Sequence, residues 1–128
     1  MIFLPLPALI QTPPPAQAPA EAPVPPVQFL SEAQKIESLI QSIEKLQGQA
    51  IFIRNGSEHD ARAAGDHLRL KLRNAGKRVK TAGDFIRGCA TKSSFSGKPY
   101  RIRYQDGHEI SSSDFFWTEL KKIDPTIK

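Results

Sequence analysis

The chain has one cysteine, Cys89, in 128 residues. A single thiol excludes an intrachain disulfide and any cysteine-based zinc site. Its neighbours Phe85, Ile86 and Ala90 are apolar, so a buried, inert thiol is expected rather than a reactive one. Long apolar runs are also missing. Met1 to Ile10 is apolar, but it is short and broken by Pro5 and Pro7, so it cannot span a bilayer. There is no G-x-S-x-G elbow for a serine nucleophile. His59 and His67 stand eight residues apart, without the i,i+4 spacing of a helical zinc pair. No metal ligand set and no cofactor are therefore expected. No internal repeat, RNA-binding aromatic signature or helix-turn-helix spacing is present, which argues against nucleic acid as a partner.

Acidic residues are scarce where basic ones gather. All 18 Lys and Arg lie beyond residue 30, with 12 of the 13 acids, so that part carries +6. From His67 to Gly83 there are six bases (Arg69, Lys71, Arg73, Lys77, Arg78 and Lys80) and no acid. Such a patch favours an anionic partner, whether nucleic acid, lipid head group, acidic protein or polysaccharide; the competing reading is a solvated basic face that only aids solubility.

Nine of the eleven prolines fall before residue 27. Residues 1–29 therefore read as an extended tail or signal remnant without a core of its own. Ala16-Gln17-Ala18 has the small residues of a signal cleavage site, but a basic n-region and a full apolar run are missing. Export to the periplasm, with the signal incomplete, is the expectation; a cytoplasmic protein is the alternative. Residues 30–124 form the domain and 125–128 a tail. About 98 residues are enough for one hydrophobic core without staples.

Ser31 and Gln34 form a capping box, followed by Ile36, Leu39, Ile40, Ile43 and Leu46 at helical spacing. The first helix is placed at about 32–47, with Gly48 at its C-terminal end. Ala50 to Arg54 reads as a strand, Asn55-Gly56 as a tight turn, and Ser57 with Asp60 as the cap of a second helix. That helix lines Ala61, Ala64, Leu68, Leu72 and Ala75 on one face and ends at Asn74-Ala75-Gly76. Thr81 and Asp84 cap a short third helix, and Lys92 to Pro99 is a hydroxyl-rich loop. Tyr100 to Tyr104 alternates as a half-buried strand, Asp106-Gly107 turns, and 108–110 pairs back. Ser111 and Asp114 cap a last helix that stops at Asp124-Pro125. The fold class is α+β: a small single domain of about four helices covering a short antiparallel sheet of two or three strands.

Polar side chains concentrate around the 50–72 stretch. Arg54, Asn55, Glu58, His59, His67, Arg69 and Lys71, with Ser94, Ser96 and Tyr100 of the following loop, are the candidate ligand-binding residues. With Arg54 placed just before a helix N-terminus, capture of a carboxylate or phosphate is natural there. The architectural alternative has Asn55 fixing the turn, Glu58 pairing with Arg62, and the serines closing the loop. No catalytic residue can be assigned.

The stretches Phe52 to Gly56, Glu58-His59, His67 to Leu72, Phe85-Ile86 and Ser93 to Tyr100 together resemble the YfeK-like family, small exported proteins of Gram-negative bacteria whose domain has no assigned function. The likeness runs over about residues 31–123. It implies a periplasmic domain and implies no activity. The N-terminus departs from the family in its incomplete signal and proline-rich stretch. The reading that combines these points is a non-enzymatic exported binding module for an anionic ligand or cell-envelope partner. The alternative is a small hydrolase-like enzyme using His59 or His67 with a loop serine. Oligomeric state is left open.

Overall fold

The computed structural model describes residues 29–127. The proline-rich stretch before residue 29, with the expected extended tail or signal remnant and the Ala16-Gln17-Ala18 cleavage pattern, lies outside the described residues. The element order is α1 (Glu32–Glu44), β1 (Ala50–Arg54), β2 (Ser57–Asp60), α2 (Ala61–Ala75), α3 (Ala82–Phe85, continued by π turns over Ile86–Ala90), β3 (Arg101–Tyr104), β4 (Glu109–Ser111) and α4 (Ser112–Ile123). This is an α+β fold, with one antiparallel sheet of order β2-β1-β3-β4.

Local capping chemistry starts the helices. Ser31 and Gln34 close a full capping box on α1, and Thr81 with Asp84 does the same on α3. The Ser111 hydroxyl accepts from the Asp114 amide at the start of α4. Each of these side-chain bonds satisfies a helix-start amide that has no partner within the helix. α1 ends earlier than its apolar spacing predicts, at Glu44; turns over residues 45–49 carry Leu46 and Gly48 into β1.

The sheet has four strands, not two or three. The extra strand is residues 57–60, predicted as the first turn of a helix. Asn55 (φ 54°) and Gly56 (φ 79°) both adopt left-handed backbone, which is the two-residue hairpin turn whose twist suits antiparallel strands. The chain therefore folds straight back, pairing Arg54 with Ser57 and Phe52 with His59. Asp60, not Ser57, is the N-cap of α2, its carboxylate accepting from the Ala63 amide at 2.8 Å. A polar Ser-Glu-His-Asp strand is tolerated because β2 is the edge of the sheet.

Register then sorts the side chains by parity. Phe52, His59, Ile102 and Ile110 stand across from one another on the face that the helices cover, joined by Tyr100 and Arg54 two residues along their chains. The core between sheet and helices holds Leu39, Ile40, Ile43, Phe52, Leu68, Phe85, Ile86, Ile102, Phe116 and Leu120, all 2 % exposed or less. Cys89 is buried among them, and burial pushes its thiol up. The opposite face is open and carries charge: Arg103 pairs with Glu58, and Glu109 with Arg101 at 2.7 Å. Among the described residues no helix is long and apolar enough to cross a membrane.

A buried ion pair ties the first helix to the last. Lys35 Nζ lies 2.8 Å from Asp124 and 2.8 Å from Glu32, with Lys35 and Asp124 almost fully enclosed. The Lys35 ammonium, helped by Thr126, pulls the Asp124 carboxyl down to about 2. The sequence marks Asp124 as a helix stop; its reach across 89 residues to Lys35 has no local signal.

Candidate functional site

A groove of about 790 Å³ opens beside α2. One wall is the α2 face that carries His67, Leu70, Lys71, Asn74 and Ala75, followed by Arg78 and Val79 just past the helix end. The facing wall is the loop after α3, with Ser93, Ser94 and Phe95; Gly88 and Cys89 of the π turns form part of the lining. Arg54 and Asn55, from the end of β1, close one end together with Tyr100.

Hydrogen bonds fix that end. Asn55 Nδ2 donates to Ser93 Oγ at 3.2 Å, and the Ser96 hydroxyl donates to Asn55 Oδ1. Ser93 Oγ also accepts from the amides of Phe95 and Ser96, both at 3.2 Å. The hairpin tip and the loop are thus tied through one asparagine, whose left-handed backbone is itself part of the turn. Behind them the Lys71 ammonium donates to the Lys92 carbonyl at 2.9 Å and to the Tyr100 hydroxyl at 3.0 Å. His67 Nε2 lies 3.2 Å from the same hydroxyl. Burial, then the positive charges of Arg54, Lys71 and His59, pull His67 from its usual 6.5 to about 4. It is neutral at pH 7. The Tyr100 hydroxyl thus meets both the Lys71 ammonium and the neutral His67 ring.

The electrostatics of the groove are one-sided. Arg54, Lys71 and Arg78 line it, and none of the three has a carboxylate within 4.0 Å among the described residues. Among the described residues the Arg54 guanidinium has one hydrogen-bond partner, His59, at 3.4 Å. Arg78 donates to the Asn74 and Ala75 carbonyls at the C-terminal end of α2. The one acid in the lining, Asp84, is held by the amides of Lys80 and Thr81 and by Arg87.

Of the residues singled out from sequence, Arg54, Asn55, His67, Lys71, Ser94 and Tyr100 line this groove. Ser96 and His59 reach it through Asn55 and Arg54. Glu58 and Arg69 do not belong to it. Strand parity turns Glu58 to the open face of the sheet, where it pairs with Arg103, not Arg62. Arg69 points to α1, bonded to Glu37 at 2.7 Å and Glu44 at 3.2 Å. It lies two residues from both His67 and Lys71, about 200° round the helix, so it cannot share their face. The anion cradle expected at the start of α2 is also absent at Arg54. Asp60 occupies that helix start, at the far end of β2 from the hairpin turn.

The 93–100 loop belongs to the expected site, but within it the sequence singles out Ser94 and Ser96 rather than Ser93, the buried hub, or Phe95, and it gives no role to the apolar lining residues Leu70 and Val79. Leu70 is legible in hindsight as the apolar residue on the His67–Lys71 side of α2, while Phe95 stands 96 % exposed on the loop. No hydrogen bond joins a histidine to a serine among the described residues. Nor do three or more His, Cys, Asp or Glu side chains gather as a metal site among them.

A domain with four helices on one antiparallel sheet and a basic, partly apolar groove at their junction is the class that the geometry defines. Residues 30–124 match a family of unknown function (DUF5329), and the chain belongs to it. The uncharacterized protein YfeK of Salmonella typhimurium (strain LT2) is 51 % identical over 49 residues, 38 % of this chain and 41 % of that protein. The match thus spans about two fifths of the relative's length. No solved structure matches.

Proposed function

We propose that the domain is a non-enzymatic binding module that captures an anionic ligand or the anionic group of a cell-envelope partner in the α2 groove. The observation that carries this is the set of three groove cations, Arg54, Lys71 and Arg78, with no carboxylate partner among the described residues. Arg69, Arg101 and Arg103 are paired with acids, whereas Arg54, Lys71 and Arg78 line a concavity without one. Arg54 supplies a planar fork suited to carboxylate or phosphate. Lys71 is held in place by neutral oxygens, which leave its charge uncompensated. Binding is favoured over acid–base chemistry because His67 faces Tyr100 rather than a nucleophile. Export to the periplasm, which the family likeness implies, is part of the same proposal; cell fractionation with mass spectrometry of the mature N-terminus checks it.

The test is calorimetric titration of the chain with inorganic phosphate at low salt. Arg54→Ala is expected to weaken binding about tenfold, and Arg54→Lys to restore it only partly because the bidentate geometry is lost. Equal binding by wild type and both variants would remove Arg54 from the site.

A further inference from the structure

Charge alone does not account for the groove. Its volume of about 790 Å³ lies within the roughly 300–1,000 Å³ of sites that enclose organic ligands, and a bare oxyanion would leave most of it to water. Leu70 and Val79 line it, and both belong to the α2 side. Phe95 stands on the opposite loop, 96 % exposed, and Leu70 is 45 % exposed. Phe95 is not on a loose loop. Its own amide is bonded to Ser93 Oγ, the Gly97 amide to the Ser93 carbonyl at 2.9 Å, and the Ser93 amide to the Lys98 carbonyl at 3.0 Å. A closed turn thus holds an aromatic ring in solvent at the rim of a cationic groove, where it buries almost no surface.

The polar groups are distributed unevenly along the groove, and this orients an occupant. At the hairpin end Arg54, Lys71, His67 and the Tyr100 hydroxyl converge, with no carboxylate lining that end. At the far end the Arg78 guanidinium is already occupied by the two carbonyls that terminate α2, and Asp84 adds a negative charge. An acidic group is therefore favoured at the first end, where no carboxylate competes, over the second, where the donors of Arg78 are partly used and Asp84 stands in the lining. The α2 wall between His67 and Ala75 is about 12 Å long, room for an extended chain or a ring beyond the head.

Resting on the anion-binding reading above, we infer that the groove takes an amphiphilic anion, a carboxylate or phosphate carrying an apolar chain or ring. The head sits between Arg54 and Lys71 and the apolar part lies along Leu70, Val79 and Phe95. The shared chemistry could reach the site as a free monomer or as a lipid in a bilayer; the groove's concavity favours the monomer, since a bilayer surface meets a convex or flat face more readily.

The experiment titrates the full chain at pH 7.5 by calorimetry with octyl phosphate and octanoate as monomers, with inorganic phosphate and acetate, and with vesicles of anionic or zwitterionic lipid. The octyl compounds should bind at least about tenfold more tightly than their short counterparts. Phe95→Ser, alone and with Leu70→Ser, should erase that advantage while leaving inorganic phosphate binding unchanged. Both side chains are exposed, so the variants should melt as wild type does. Equal affinity for phosphate and octyl phosphate, or an advantage that survives the double variant, overturns the amphiphile inference and leaves the anion site standing. Binding to anionic vesicles without binding to monomeric octyl phosphate also overturns it, in favour of a membrane surface. Binding of no probe overturns both readings.

Discussion

Arg69 and Lys71 are two residues apart on α2, yet the molecule treats them oppositely. Arg69 turns to α1, where Glu37 and Glu44 hold it from two sides; they raise its pKa further. Lys71 turns to the loop before β3, where it meets a carbonyl and a phenol. The open face of the sheet follows Arg69, with Glu58, Arg101, Arg103 and Glu109 closed on one another. The groove follows Lys71. A helix that needs only to be soluble can pair its charges on any side. Arg69 meets carboxylates on the α1 side and Lys71 meets only neutral oxygens on the groove side, so two cations of one helix differ by the surface that each faces.

The comparison breaks most visibly at the paired seam. Lys35→Ala leaves Asp124 enclosed without its ammonium, and removing one partner of a buried pair is among the most destabilising single changes. A fall of about 10 °C or more in melting temperature is expected, with phosphate binding at the groove of the folded protein unchanged. A melting temperature within error of wild type would show that the seam is not structural.

Next in size is the turn that holds the groove's closed end. Gly56→Val places a β-branched residue at φ 79° and should cost about 1–3 kcal/mol in urea unfolding. Because Asn55 ties this turn to Ser93 and Ser96, anion binding should fall as well. Lost stability with intact binding would separate the turn from the groove.

Acid titration sharpens the contrast, since each region has its own window. His67 has a folded-state pKa near 4, below its usual 6.5. Between those values the unfolded chain binds more protons, so stability should decline as pH falls from about 6.5 to about 4. Asp124 is depressed to about 2. Its contribution is present above the ordinary carboxylate range and should be lost as pH falls from about 4 to about 2. His67→Gln should flatten the upper window and leave the lower one, as read by urea midpoints at successive pH values. A variant that moves only the lower window would contradict the assignment.

The smallest effect is expected at Arg54. Arg54→Ala should change unfolding free energy by no more than about 0.5 kcal/mol, despite its expected effect on binding. A larger loss of stability would make Arg54 an architectural residue.

Residues 57–60 show where local signals compete. Ser57 and Asp60 both resemble helix caps, and a polar Ser-Glu-His-Asp stretch has no alternation to mark it as a strand. Asn55-Gly56 was the better guide, since two left-handed residues in succession close a hairpin. Missing the strand also misplaced Glu58, because strand parity alone puts it opposite His59. Arg69 was separable by helix geometry without any structure, being two residues from its supposed companions. Ser93 was not separable, since nothing in a run of hydroxyls says which one is buried.

The sequence by itself determined the parts whose chemistry is local. The capping boxes at Ser31 and Thr81, the Ser111 cap, the apolar stripe of α1, the alternation of β3 and the family motifs are all readable within a few residues. Only the tertiary structure decided which cations keep a partner. Lys35 finds Asp124 89 residues away, Arg69 finds Glu37 32 residues back, and Arg54 finds no acid among the described residues. Each charge is placed by the packing of distant elements, and a Coulomb partner depends on distance in space, on which spacing along the chain is silent.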